Sequence, residues 1–226
     1  MSDRALRFYF DYISPNAYLV WTRLPALEER HGVHVVPVPV LFAGLLEAYG
    51  QLGPAEVPPK VRWMTRNNLR KAAILGVPLE PPAFHPFNPL LALRVSSVAI
   101  DDGAKRRLVS VLFEAFWVRG LHVAEAAVVQ RVVREAGLDA GALLEAASTP
   151  ECKALLRAQT DAAIARGVFG VPTMEVGDEL FWGYDDMPYL ERYLAGNDTL
   201  DPTRLTRWST PRASATRSKA PAKPGA

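Results

Sequence analysis

A change of hydrophobic period between residues 6 and 25 constrains the fold of this chain more than any other feature. Large apolar side chains occupy every second position in residues 6–10, as in a strand, whereas residues 18–25 continue at helical spacing. Ser14-Pro15 lies at the junction. A serine N-cap followed by proline is typical of a helix start, because the hydroxyl accepts from an unpaired amide and proline has no N–H to leave unpaired. The segment therefore predicts a strand that leads directly into a helix.

The position of Ser14 also has a chemical consequence. A helix N-terminus carries partial positive charge and free N–H groups, so it favours an anion such as a thiolate. Thioredoxin-like folds carry Cys-x-x-Cys at this place, whereas residues 14–17 are Ser-Pro-Asn-Ala. The predicted site can receive a thiolate but cannot supply one. The simpler interpretation, in which Ser14 only caps the helix, stays open.

Length and composition indicate a globular protein. The 226 residues, 49% of them hydrophobic, are enough for one large domain or one domain with an insertion. The longest apolar run, residues 35–46, is interrupted by two prolines and is shorter than the ~18 residues that indicate a membrane span. Residues 1–4 lead into the first strand without an apolar signal segment. We therefore expect a cytoplasmic protein without a membrane partner.

The charge distribution argues against nucleic-acid binding by the folded part. The net charge is +2, but the segment after Asp201 holds six cations and no acid, so subtracting them leaves −4 on residues 1–201. No basic face is expected there. Cys152, the single cysteine, cannot form an internal disulfide, and its place in the first turn of a predicted helix favours a small buried side chain over a nucleophile.

The second strand completes a β-α-β unit. Residues 33–40 are rich in β-branched side chains and predict a strand, which Pro37 and Pro39 confine to a sheet edge or to the strand's end. The first helix should end near Arg30, before His31-Gly32. A strand, a helix and a strand in this order form a right-handed parallel unit.

Residues 43–148 are rich in Ala and Leu at helical spacing and predict a helical insertion. A helix that begins at residues 58–60 places Arg62, Arg66 and Arg70 on one stripe. Such a stripe is either a solvated face or an anion-binding wall, and both interpretations stay open. The proline-rich crossing that follows, at residues 77–89, is too rigid and aromatic for a flexible linker. Further helices are predicted at residues 94–100, 105–118, 124–136, 140–147 and 150–166.

The C-terminal part predicts a hairpin and a last helix. Gly177-Asp178 separates two apolar runs, which indicates a hairpin turn. Asp185 is the predicted cap of the last helix, which should end at residues 194–196. Residues 201–226 lack the apolar content to fold and are predicted to be a disordered basic tail.

The order of these elements defines a fold class. Strand-helix-strand followed by helix-hairpin-helix, with helices between the halves, is the order of a thioredoxin-like α/β fold with an all-helical insertion. We predict a thioredoxin-like domain in residues 1–42 and 149–200. Residues 43–148 form the inserted helical domain.

Three segments carry a closer resemblance. They are Phe-Asp-Tyr-Ile-Ser-Pro at 10–15, Phe-Gly-Val-Pro-Thr at 169–173 and Phe-Trp-Gly-Tyr-Asp at 181–185. In this order they closely resemble the 2-hydroxychromene-2-carboxylate isomerases, which are related to kappa-class glutathione transferases. The resemblance extends from about Leu6 to Leu194. It implies glutathione as cofactor, bound by the thioredoxin-like domain of residues 1–42 and 149–200, with a small aromatic carboxylate as substrate and a homodimer as the assembly. It predicts no metal site.

The resemblance assigns Ser14 to the glutathione sulfur, in agreement with the helix-end argument. A serine hydroxyl does not lose its proton near neutral pH. Its expected role is therefore to donate a hydrogen bond to the thiolate, which lowers a thiol pKa that starts near ~8.5.

The resemblance also implies where the rest of glutathione binds. Val171-Pro172 matches the family's cis-proline turn, whose backbone N–H and C=O at Val171 would pair with the cysteinyl backbone as an added strand does. The γ-glutamyl end is placed at Trp182, Gly183, Tyr184 and Asp185. There Asp185 would accept from the α-ammonium, while helix-end amides hold the carboxylate.

Substrate contacts follow from the resemblance at a further set of polar residues. These are Gln51, Lys60, Arg62, Arg66 and His85. The chain departs from the family pattern at two positions. Gln51 follows Gly50 where many relatives carry Asn, and Tyr184 stands where kappa-class proteins carry Ser.

The leading hypothesis is a glutathione-dependent isomerase that interconverts 2-hydroxychromene-2-carboxylate, or a close analogue, and trans-o-hydroxybenzylidenepyruvate. The thiolate would add to a conjugated carbon of the ring-opened form, the former double bond would rotate as a single bond, and elimination would follow. A kappa-class-like glutathione transferase or peroxidase is the nearest alternative. A thiol–disulfide oxidoreductase is more distant because Cys-x-x-Cys is absent, and a binding module without activity is the remaining alternative.

Overall fold

A mixed four-stranded sheet organises the structure, a computed structural model that describes residues 4–80, 82, 84–208 and 215. The strands are Arg4–Phe10 (β1), Val33–Pro39 (β2), Thr173–Val176 (β3) and Glu179–Trp182 (β4). They lie in the order β2-β1-β3-β4, with β1 parallel to β2 and antiparallel to β3, and with β3 antiparallel to β4. The predicted β-α-β unit, the C-terminal hairpin and the thioredoxin-like α/β class are confirmed.

Helices cover both faces of this sheet. They lie at Pro15–Trp21 (α1), Leu24–His31 (α2), Phe42–Tyr49 (α3), Pro58–Leu75 (α4), Leu90–Ser97 (α5), Asp102–Trp117 (α6), Ala126–Glu135 (α7), Ala140–Ser148 (α8), Pro150–Ala165 (α9), Met187–Leu194 (α10) and Pro202–Trp208 (α11). Short 3-10 turns occupy Pro54–Glu56 and Tyr184–Asp186. None of the helices in the described part of the chain is both long and apolar enough to cross a membrane.

Helices α4 to α8 share one core with the sheet. The ring of Phe113 in α6 lies 5.5 Å from that of Phe10 and 4.7 Å from that of Tyr12, measured between centroids. Buried side chains of β1, α1, α5, α6 and α7 form one continuous cluster. A smaller cluster, which includes Tyr9 of β1 and Ala163 of α9, covers the other face. The division into a thioredoxin-like and a helical domain stays a prediction.

Side chains close the free edge of β2. Glu28 accepts a hydrogen bond from the Val35 N–H at 2.6 Å, and Arg106 donates to the Val35 carbonyl at 2.6 Å. Glu28 and Arg106 also pair with each other through two contacts of 2.5 and 2.6 Å. The edge position predicted from Pro37 and Pro39 is confirmed. The edge groups of Val35 are thereby withheld from pairing with another chain.

The first predicted helix is two helices. The expectation of one helix to Arg30 was wrong, because the chain breaks after Trp21 and resumes at Leu24. Pro25 has no N–H to donate to the carbonyl of Trp21, and the Arg23 N–H turns to Val20 instead, at 2.8 Å.

Boundaries of the later helices agree with the prediction within a few residues, except at α5. This helix begins at Leu90 rather than at residue 94 and ends at Ser97 rather than at residue 100. The side chain of Asn88 accepts from the Leu90 N–H at 3.0 Å, which defines the earlier start.

Cys152 is buried in the first turn of α9, as predicted. Its N–H donates to the hydroxyl of Thr149 at 3.2 Å. Burial raises the pKa of the thiol, which agrees with a structural side chain rather than a nucleophile.

Two predictions for the C-terminal part require correction. Asp185 does not cap the last helix, because α10 begins at Met187 and the carboxylate of Asp185 pairs with Lys71 instead. Residues beyond Asp201 were predicted to be disordered, but Pro202–Trp208 forms α11. Asp201 accepts from the N–H groups of the residues at 203 and 204, which stabilises the first turn. Residues 209–214 and 216–226 of the predicted tail lie outside the described residues.

Candidate functional site

Ser14 begins α1 and joins it to the loop before β3. Its Oγ accepts a hydrogen bond from the Ala17 N–H at 3.2 Å, which satisfies one of the free amides of the helix start. The same hydroxyl donates to the Val171 carbonyl at 3.4 Å. The predicted cap is confirmed, and the structure brings Ser14 and Val171 together although they are 157 residues apart.

Asp11 fixes the loop that presents Ser14. Its two carboxylate oxygens accept from the N–H groups of Ile13 and Phe42, at 3.1 and 3.0 Å. The Ser14 N–H donates to the Asp11 carbonyl at 3.1 Å. Burial raises the pKa of the Asp11 carboxyl to about 7, partly offset by the two amide hydrogen bonds. The side chain thus holds the β1–α1 loop against the start of α3.

The Val171-Pro172 peptide bond is cis, as the resemblance implied. The Pro172 carbonyl accepts from the Gly183 N–H at 2.9 Å, so this loop and the segment after β4 are held together. No hydrogen bond to the Val171 N–H is found within the described residues. Its carbonyl, which the resemblance assigns to the backbone of glutathione, accepts from Ser14.

Trp182 lies against the same loop. Its indole packs so closely on Gly170 that a Cβ added there would lie 2.6 Å from Trp182 Nε1. The ring of Phe169 lies 5.1 Å from that of Trp182. A side chain at 170 would therefore displace the half-exposed Trp182 ring from the loop, and Gly183 adopts a positive φ of 78° that favours glycine.

Lys71 of α4 connects Asp185 to the start of α1. Its Nζ donates to Asp185 Oδ2 at 2.8 Å and to Asn16 Oδ1 at 3.3 Å, and it lies 5.2 Å from the centroid of the Tyr184 ring. The Lys71 side chain is only 11% exposed, whereas that of Asp185 is 72% exposed. A buried ammonium and an exposed carboxylate thus stand side by side, one turn of α1 from Ser14.

An aromatic surface faces the residue before Ser14. His85 Nε2 lies 2.9 Å from the carbonyl oxygen of Ile13, and its ring lies 5.6 Å from that of Trp117. Trp117 in turn donates to the Tyr12 carbonyl at 2.9 Å. The proline-rich crossing is therefore packed against the β1–α1 loop, which brings His85 to the site.

The remaining predicted residues are not joined to Ser14 by any contact among the described residues. One of them follows α3 and the others lie on α4, and all five are exposed to solvent: Gln51, Lys60, Arg62, Arg66 and Arg70. Exposure of the arginines agrees with a solvated face.

Sequence reasoning missed Lys71, although its spacing from the buried Asn68 and Ala72 placed it on the packed side of α4.

Comparison with known proteins places this chain in a family. The model of the DSBA-like thioredoxin domain matches residues 5–195. The 2-hydroxychromene-2-carboxylate isomerase of Sphingobium xenophagum is 33% identical over 193 residues, covering 84% of this chain and 98% of that protein. The chain therefore belongs to the DSBA-like thioredoxin family and, within it, to the 2-hydroxychromene-2-carboxylate isomerases. By this membership it is an enzyme of the isomerase class.

Two further similarities agree with this assignment. A solved structure of a 2-hydroxychromene-2-carboxylate isomerase superimposes with a TM-score of 0.79 and 29% identity, covering 91% of this chain and 97% of that one. Glutathione S-transferase kappa 2 of Caenorhabditis elegans is 26% identical over 211 residues, covering 85% of this chain and 92% of that protein. The predicted relation to both groups is confirmed.

Proposed function

We propose that this protein is a glutathione-dependent isomerase that interconverts 2-hydroxychromene-2-carboxylate, or a close analogue, and trans-o-hydroxybenzylidenepyruvate. The observation that carries the proposal is the hydroxyl of Ser14, at the N-terminus of α1 and hydrogen-bonded across the fold to Val171. The relatives named for this reaction support the choice of substrate class.

The polar groups of the site suit a thiol tripeptide. The N–H of Val171 has no acceptor within the described residues and is available to a peptide carbonyl. The exposed Asp185 carboxylate is available to an ammonium. The N-terminus of α1 favours a thiolate. Glutathione, when bound, would supply a thiolate that adds to the conjugated substrate and leaves it again.

Ser14 would then act by redirecting one hydrogen bond. The 3.4 Å contact from its hydroxyl to Val171 is long, so turning that proton towards a sulfur anion costs little. The Ala17 N–H meanwhile continues to bond Oγ and keeps it at the helix end. His85 and Trp117 supply an aromatic wall beside the loop.

A coupled assay tests this function. Purified protein is incubated with 2-hydroxychromene-2-carboxylate or with a neutral aryl halide, each with and without glutathione. We expect isomerisation only when glutathione is present, and little conjugation of the halide. Conjugation of the halide without isomerisation would instead establish the transferase alternative, and a peroxide added in place of the halide tests the peroxidase. The homodimer, the cytoplasmic location and the substrate contacts of Gln51, Lys60, Arg62 and Arg66 stay predictions.

A further inference from the structure

The ion pair of Lys71 and Asp185 is an unusual one for a surface contact. Lys71 is nearly buried and holds its ammonium between two elements, α1 and the 3-10 turn that contains Asp185. An ammonium has three N–H donors, and the described contacts use two of them. Asp185 Oδ2 accepts from Lys71, and no hydrogen bond to Oδ1 is found within the described residues.

The pair therefore offers one unused N–H on the Lys71 ammonium beside the unused Oδ1 of the Asp185 carboxylate, within the described contacts. This arrangement is complementary to an α-amino-acid head group, whose carboxylate and ammonium are attached to the same carbon. A pocket of about 250 Å³ borders Asp185 on the side lined by Arg23, Tyr184 and Glu191. Lys71 is not among the residues that line it. Lys71 is therefore implicated by its contacts with Asp185 and Asn16, and Arg23 is the rival cation.

We propose that Lys71 binds the α-carboxylate of the γ-glutamyl group, while Asp185 accepts from its α-ammonium; the proposal rests on the function proposed above. The 3-10 turn would then hold the carboxylate only in part, and the cation comes from α4, in the predicted helical insertion. Lys71 is thereby a specificity-determining residue for a γ-linked amino acid. The exposed arginine stripe of α4 takes no part in this contact.

A ligand cycle tests the proposal by binding rather than by turnover. Isothermal titration calorimetry compares glutathione with two analogues, 4-aminobutanoyl-Cys-Gly, which lacks the α-carboxylate, and glutaryl-Cys-Gly, which lacks the α-amine. The proteins are the parent, Lys71→Met, Arg23→Gln and the matched control Lys153→Met, whose side chain is exposed on α9. Circular dichroism confirms that each variant is folded.

A hydrogen bond between charged partners predicts the size of the effect. The parent should bind the analogue without the carboxylate about ten- to a hundredfold more weakly than glutathione. Lys71→Met should lose a similar factor for glutathione and for glutaryl-Cys-Gly, but little for the analogue that lacks the carboxylate. Arg23→Gln and Lys153→Met should keep the discrimination of the parent.

Three outcomes overturn the proposal. If Lys71→Met weakens glutathione and 4-aminobutanoyl-Cys-Gly equally, Lys71 is only a structural tether. If Arg23→Gln rather than Lys71→Met removes the discrimination, the carboxylate is held by Arg23. If the parent binds no glutathione at all, the proposed function fails as well, and this result is distinct from the first two.

Discussion

The hydroxyl of Ser14 has a single proton, and its two roles at the helix start can be separated by substitution. Ser14→Ala removes the bond from Ala17 and any bond to a sulfur anion. We expect the fold and the glutathione affinity to be kept within severalfold, a stability loss of about 1 kcal/mol from the missing cap, and a clear fall in turnover. The pKa of the bound glutathione thiol, followed by ultraviolet absorbance, should rise.

Thr149→Ala is the matched control for this prediction. The Thr149 hydroxyl caps α9 and donates to a backbone carbonyl, as Ser14 does for α1, but it lies in another helix start. It should cost similar stability and leave the thiol pKa unchanged. A thiol that titrates identically in Ser14→Ala and the parent would show that Ser14 is only a cap.

Asp11 makes stability depend on pH. Its pKa is raised from an ordinary value of 3.8 to about 7 in the folded protein, so between these values the unfolded chain has lost the proton that the folded chain keeps. The free energy of unfolding therefore decreases as pH rises from about 4 to about 7 and then levels off. The full change is roughly 4 kcal/mol.

Asp11→Asn should abolish this decrease, because the amide does not titrate. Urea unfolding at several pH values between 4 and 8 measures the difference between parent and variant, so that other titrating groups cancel. The variant is expected to be less stable at pH 4, since an amide accepts from only one of the two N–H groups. If the difference in the free energy of unfolding between parent and variant does not change with pH, the pKa of the Asp11 carboxyl is close to its ordinary value.

At the scale of elements, the closed edge of β2 depends on Glu28. Glu28→Ala leaves the Val35 N–H without its acceptor and Arg106 without its carboxylate. The expected loss is about 2 kcal/mol, reduced from the cost of a fully buried pair because both side chains are partly exposed. Urea midpoints measure the loss, and light scattering should record faster aggregation through the opened edge.

Glu29→Ala is the control for the edge. Glu29 is the exposed neighbour on the same helix, so it should change stability by less than about 0.5 kcal/mol. Equal effects of the two substitutions would mean that the edge contacts contribute nothing measurable.

At the scale of the whole molecule, the shared core makes the two predicted domains depend on each other. Phe113 belongs to the predicted insertion, yet its ring packs on Phe10 and Tyr12 of the β1 segment. Phe113→Ala should cost about 3–5 kcal/mol and lower the urea midpoint of the entire chain in one transition. Far-ultraviolet circular dichroism and tryptophan fluorescence should coincide throughout.

Ile74→Ala, at a side chain that is 86% exposed on α4, should leave that midpoint nearly unchanged. Two separate urea transitions in the parent would establish residues 43–148 as an independent unit. So would a circular dichroism signal that is lost at a lower urea concentration than the one at which tryptophan fluorescence changes.

The sequence by itself determined the features that depend on neighbouring residues. The strand-to-helix junction at Ser14-Pro15, the hairpin turn at Gly177-Asp178 and the edge position of β2 follow from period, capping and proline chemistry within a few residues. The order of these elements and the three matching segments were enough for the fold class and the family. Each of these properties is local or additive along the chain.

The tertiary structure alone decided which side chains meet. Asp185 is a helix cap by local pattern, but it bonds Lys71, which is 114 residues away in sequence and buried beneath Tyr184. The carboxylate of Asp11 joins two loops whose meeting depends on the pairing of β1 with β2. Local periodicity carries no information about such partners, because their distance is set by packing between elements far apart in the chain.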